Sequence, residues 1–133
     1  MNGETDLQVI LQNLKPKLNE GEYVFCAVDE TQRVDLKEVQ MIFKEQEAIT
    51  LVLRKEVANR LNLKYDFVAA WITLDIHTAL EGVGLTAVFS KALADANISA
   101  NVVAAFYHDH VFINKKDEQM AMTILKRLSE CKI

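Results

Sequence analysis

The sequence is poor in proline, glycine and cysteine, with one, four and two of them in 133 residues. The few chain breakers gather nowhere into a low-complexity linker. Cys26 and Cys131 stand far apart, with no second Cys or His at ligand spacing, so neither a disulfide framework nor a zinc site is encoded. Both occupy apolar pattern positions and read as buried reduced thiols. Basic charge is not in excess either. Lys and Arg number 15 against 19 Asp and Glu, a net charge of −4, and no basic stripe is present, which excludes general affinity for nucleic acid. The longest apolar runs, such as Phe67 to Ile72, are far too short to span a bilayer. Met1 to Asp6 lacks the basic segment and apolar run of a secretion signal. No membrane partner is expected, and a reducing cytoplasm is the expected location. Phosphate loop, nucleotide fingerprint and a cysteine nucleophile in a recognisable setting are all missing.

What is present is ordinary for a globular protein, 50% hydrophobic and 26% charged. The length suits one domain or two very small ones, and folding should bury roughly two-thirds of the unfolded surface. Thr5 or Asp6 can cap a helix with Leu7, Ile10, Leu11, Leu14 and Leu18 at helical spacing, which Pro16 ends or kinks near Leu14. Glu20-Gly21 is expected to break the chain before a buried strand, Tyr23 to Val28. Asp29 to Lys37 reads as a turn-like polar stretch. Val39 to Phe43 and Ile49 to Leu53 read as extended, Glu56 to Leu61 as a short helix, and Tyr65 to His77 as the longest strand. In that strand Ile72, Leu74 and Ile76 alternate with Thr73, Asp75 and His77, which predicts one buried and one polar face.

The chain is organised around Asp75 to Ile113. Leu80-Glu81-Gly82-Val83-Gly84-Leu85-Thr86 sets two glycines beside a helix with Leu85, Val88, Phe89, Ala92, Leu93 and Ala96 on one face and Asn97 at its end. A helix start presents unpaired N–H donors, so this is a place to bind something small and negatively charged. Ile98 to Phe106 reads as a strand, Tyr107 to His110 as a corner, and Val111 to Ile113 as a return strand. A final helix from Asp117 turns Met120, Ala121, Ile124, Leu125 and Leu128 inward.

The second half thus reads strand, helix, strand, strand, helix, and the first half helix, strand, strand, helix. Each is one strand short of a ferredoxin-like unit, so a four-stranded sheet in each half requires sharing, swapping or splitting a strand. Helices on one face of antiparallel sheet are expected throughout.

On these residues the chain resembles an ACT domain. The likeness rests on Leu80 to Ala87, Ala94 to Ser99, Asn101 to Ala104 and Tyr107 to Phe112. It extends to Tyr23 to Cys26 and Phe43 to Leu51, where Ala48 stands in place of a usual glycine. The sequence is particularly similar to small, uncharacterised bacterial proteins with two ACT-like units, and to the ACT units of aspartate kinases and arginine sensors. The resemblance implies an α+β fold of two ferredoxin-like βαββαβ units, residues 1–64 (divergent and strand-deficient) and 65–133. It also implies a non-enzymatic regulatory protein binding a small amino acid or similar metabolite where two ACT units meet. ACT units also serve purely for assembly, and a homodimer through sheet or helix pairing is expected.

If the resemblance holds, backbone N–H groups of Gly82, Val83, Gly84, Leu85 and Thr86, beside Glu81, receive the ligand's carboxylate. Carbonyls of Val102 and Val103, with Asn101, accept from its ammonium group. Asp109 matches a position where an acidic side chain in related sensors faces the ligand, which favours a basic amino acid such as arginine. The acidic residue expected on the opposing turn is Gly82 here. Alternatively, Gly82 and Gly84 merely turn the chain into the helix.

Other constellations read as structural. His108 and His110 share a face if extended but lack a nearby third metal ligand, so no metal or cofactor is expected. Asp75, His77 and Ser90 make no triad, because Ser90 sits inside a helix without a nucleophile elbow. Glu45 and Glu47 read as a solvated strand edge rather than an acid and base, and Trp71, Phe106 and Tyr107 as core or interface.

Overall fold

The computed structural model describes residues 7–30, 34–75 and 84–130. In chain order the elements are α1 (Leu7–Gln12), β1 (Pro16–Val28), β2 (Val39–Lys44), β3 (Ile49–Arg54), α2 (Lys55–Arg60), β4 (Val68–Leu74), α3 (Leu85–Asp95), β5 (Asn101–Ala104), β6 (Asp109–Asn114) and α4 (Glu118–Arg127). Single 3-10 turns precede β2 and flank α4. The chain forms two compact units, one of residues 1–20 with 70–133 and one of residues 21–69.

In the first unit the strands lie in the order β1, β4, β6, β5, with β1 contributing Pro16 to Glu20. The β5–β6 pair is an antiparallel hairpin matching Val102 with Val111 and Val103 with His110. Side chains alternate across a strand, so one sheet face carries Ile72, Leu74, Val111 and Ile113. That face meets Leu11 and Leu14, Phe89 and Leu93 of α3, and Ala121 and Leu125 of α4 in one buried cluster. The α3 periodicity is as the sequence predicts. Asn97 ends that region in the left-handed conformation (φ +61°), and the Ile98 amide donates to the Leu93 carbonyl at 3.0 Å.

In the second unit β3 is flanked by β2 and by the latter part of β1, both antiparallel, with Tyr23 opposite Arg54 and Val28 opposite Ile49. Val24, Cys26, Leu51, Leu53, Ala58 and Leu63 form its core. The Cys26 thiol is buried there, and burial pushes its pKa up, as a structural thiol requires. Cys131 lies outside the described residues.

Several boundaries differ from the sequence reading. Leu18 belongs to β1, not to the first helix, because Pro16 has no N–H to continue a helix and starts the extended chain. Nor does Glu20-Gly21 break the chain. β1 runs through Gly21, whose φ of +106° accommodates a departure from extended geometry that other residues rarely make. β4 ends at Leu74, and Ile76 and His77 lie outside the described residues. β5 is confined to Asn101–Ala104, since Ile98 is engaged in ending α3. β6 begins at Asp109, so His110 is a strand residue, and the corner is the turn closed by the Ala105 amide on the His108 carbonyl at 3.0 Å. Met120 is 58% exposed, with Ala121 and Leu125 filling the inward positions.

Candidate functional site

Gly84 caps α3 with φ +105°, and its carbonyl accepts from the Val88 amide at 3.0 Å. Gly84 has no side chain to cap this end, and among the described residues the first turn has no acidic residue, so the cap itself offers its backbone donors no side-chain acceptor. Leu85 is buried and Thr86 exposed. Glu81, Gly82 and Val83 lie outside the described residues.

Leu85 belongs to the buried hydrophobic cluster on the apolar side of the sheet, and Val102 of β5 packs against that same cluster. Asp109, opposite Ala104, alternates onto that same side with Val111. Its half-buried carboxyl is pushed above the usual carboxylate range by burial, with the positive charge of His108 opposing the rise. Asn101 and Val103 point to the other face, where the Asn101 amide donates to the Phe112 carbonyl at 3.2 Å. Val102 and Ala104 are the β5 side chains on the apolar face. Asp109 lies at the turn end of the hairpin, three residue pairs from Asn101 and so ~10 Å away along the strand.

The opposite sheet face holds a polar chain that sequence reasoning missed. The Asn19 amide donates to the Thr73 hydroxyl at 2.9 Å and to the Trp71 carbonyl at 3.2 Å. The Thr73 oxygen lies 3.1 Å from His110 Nδ1, and Trp71 Nε1 donates to that same nitrogen at 3.0 Å. Trp71 also stacks on Phe112, with ring centroids 6.1 Å apart. Thr73, expected on a polar face, is only 8% exposed because these partners enclose it. His108 Nε2 lies 4.0 Å from Asp75 Oδ1. The signal available in the sequence was alternation in Lys17-Leu18-Asn19, hidden by reading Leu18 as helical.

Among the described residues no group of three or more His, Cys, Asp or Glu is placed to hold a metal ion. Phe106 and Tyr107 are exposed at the hairpin turn and pack edge to face at 5.0 Å. In the second unit, a cleft of about 140 Å³ involves Val28, Val39, Ile42 and Leu51. Beside it, one of about 160 Å³ is bordered by Glu30, Glu45 and Glu47. Glu45 accepts from the Thr50 hydroxyl, and neither cleft is lined by the residues expected from the sequence to hold a ligand.

Comparison with known proteins identifies the family and the fold. Profiles of the ACT domain match residues 2–70 and 67–127, and the chain belongs to the ACT-domain family. It is similar to a Vibrio cholerae protein of unknown function, described as a possible transport protein. The two are 40% identical over 92% of this chain and 95% of that one, with a TM-score of 0.80. The fold is also that of the ligand-free regulatory subunit of aspartate kinase from Thermus thermophilus (10% identity, 89% and 97% coverage, TM-score 0.62). An Agrobacterium tumefaciens protein shares it too (15% identity, 87% and 89% coverage, TM-score 0.67). A search among curated proteins finds no match. No helix among the described residues is long and apolar enough to cross a membrane.

Proposed function

We propose that this chain is a non-enzymatic, cytoplasmic regulatory protein that binds a small amino acid or similar metabolite at a junction of ACT units, within one chain or across a homodimer. Two ACT-like units of the βαββαβ type, divided near residues 1–64 and 65–133 along the sequence and completed by the long β1, are the frame of this reading. The observation that carries it is the α3 start at Gly84, which has no side-chain cap among the described residues and is followed by Leu85, in the cluster against which Val102 packs. Main-chain donors from Glu81 to Thr86 take the ligand's carboxylate, and acceptors on Asn101, Val102 and Val103 take its ammonium group. Asp109, on the same sheet face as Val102, sets a preference for a basic side chain. The regulatory assignment draws on the aspartate kinase regulatory subunits that share the fold.

Calorimetric titration with each of the standard amino acids tests the proposal. Saturable heat with at least one is expected, and Asp109→Asn should weaken a basic ligand on the order of tenfold or more, the loss of one charge-assisted hydrogen bond. No heat with any of them would leave an assembly module as the better reading.

A further inference from the structure

We propose that His110 is an acid-sensitive latch. As a neutral ring it accepts from Trp71 and from Thr73, which in turn accepts from Asn19 of β1, and protonation at Nδ1 releases Trp71 and reverses the Thr73 hydrogen bond. An indole N–H can only donate, so the 3.0 Å contact from Trp71 Nε1 requires a bare lone pair on His110 Nδ1 and leaves the ring proton on Nε2. The Thr73 hydroxyl already accepts from Asn19 at 2.9 Å, which leaves its own proton to point at the same nitrogen 3.1 Å away. Two donors therefore converge on one acceptor. A proton arriving there sets the Trp71 contact donor against donor and forces the Thr73 hydroxyl to turn and accept instead, in a place where Thr73 is 8% exposed and has no ready exchange with water.

The charged surroundings run in the same direction. From β6 and its turn, the His108 ring lies 6.4 Å from that of His110, and Asp109 is adjacent in sequence but faces the other side of the sheet. Beyond β4, Asp75 is nearest to His108, at 4.0 Å from Nε2. β1 presents the uncharged Asn19, with Lys17 two residues before it on the same strand face, and β5 presents Val103. Burial and the His108 charge both hold His110 below the ordinary histidine value. Val103, paired with His110, belongs to the strand assigned above to the ligand's ammonium group, so an open latch should weaken ligand binding. That consequence rests on the proposed function, whereas the latch does not.

Trp71 is the single tryptophan, so its fluorescence in the ligand-free full chain reads the latch directly. The expected result is an emission change on acidification with a midpoint below about 6.5 and an unchanged far-UV spectrum, and its disappearance in His110→Gln but not in His108→Gln. Nitrogen NMR of the wild-type imidazole gives a second reading that needs no variant. His110 Nδ1 should be unprotonated at neutral pH and gain its proton together with a shift of the Trp71 indole N–H. A protonated Nδ1 at neutral pH, an emission change that survives His110→Gln, or one that merely tracks loss of secondary structure would overturn the latch.

Discussion

Gly84 shows what a single residue controls. With φ at +105°, an added Cβ would lie 3.0 Å from Leu7 Cδ2. Leu7 is a flexible side-chain end and can shift, so most of the cost is backbone strain. Gly84→Ala is expected to destabilise by about 1–2 kcal/mol, read as a lower urea midpoint at unchanged slope. Titratable residues give a second prediction. Burial, with the His108 charge adding to it, lowers His110 from the ordinary value of 6.5. The folded state then binds fewer protons than the unfolded, so this contribution is complete above about pH 6.5 and lost as pH falls through the folded value. Asp109 behaves oppositely. Raised above 3.8 by burial against the opposing His108 charge, its contribution is complete below that value and lost as pH rises through the folded one. Urea unfolding between about pH 5 and 8 should therefore show Asp109→Asn more stable than wild type at neutral pH, the difference narrowing in acid. Gly84 and Asn97 were legible in the sequence because left-handed backbone restricts residue choice. The partnership of Asn19, Thr73 and His110 was not, because it joins three strands far apart in the chain.

Elements differed in legibility for a physical reason. α3 was readable because Leu85, Phe89 and Leu93 repeat at helical spacing and are all buried. Phe89→Ala is expected to cost about 3–5 kcal/mol in chemical denaturation, the effect of emptying a fully enclosed aromatic site. β1 was half readable. Leu11, Leu14 and Leu18 fit a helical stripe, but Leu18 also fits strand alternation, and only Pro16 marks where one pattern gives way to the other. β4 taught a different lesson, since alternation assigns a residue to a face without saying whether that face is open. Thr73 is polar and still enclosed, because Asn19 and His110 satisfy its hydroxyl. Thr73→Val keeps the shape but removes one hydrogen bond from each of those partners, and should lose about 1–3 kcal/mol in the same assay.

At the scale of the whole molecule, β1 explains the strand deficit visible in each half of the sequence. Its 13 residues cross the boundary between the two compact units at Gly21, with Pro16 to Glu20 in one and Gly21 to Val28 in the other. Gly21→Val disturbs the strand at that point. It forces φ away from +106° and places a Cβ 3.1 Å from Arg54 Nη1, so a loss of at least ~1 kcal/mol is expected. Trp71 fluorescence and far-UV dichroism should report that loss with coincident midpoints. The family match was legible because it needs only local motifs. The course of β1 was not, since it depends on where one continuous strand finds its neighbours.

That continuity makes the molecule separable in an unusual way. The stretch that completes the first unit precedes the whole of the second in the chain, so severing the backbone in the middle does not yield two self-sufficient pieces. A recombinant piece beginning at residue 65 lacks Leu11, Leu14 and a border strand, and should stay sticky and ill-folded until a synthetic peptide of residues 1–20 is supplied in trans. The N-terminus would then act as a removable keystone, and reassembly of the two pieces could be titrated like any other binding equilibrium.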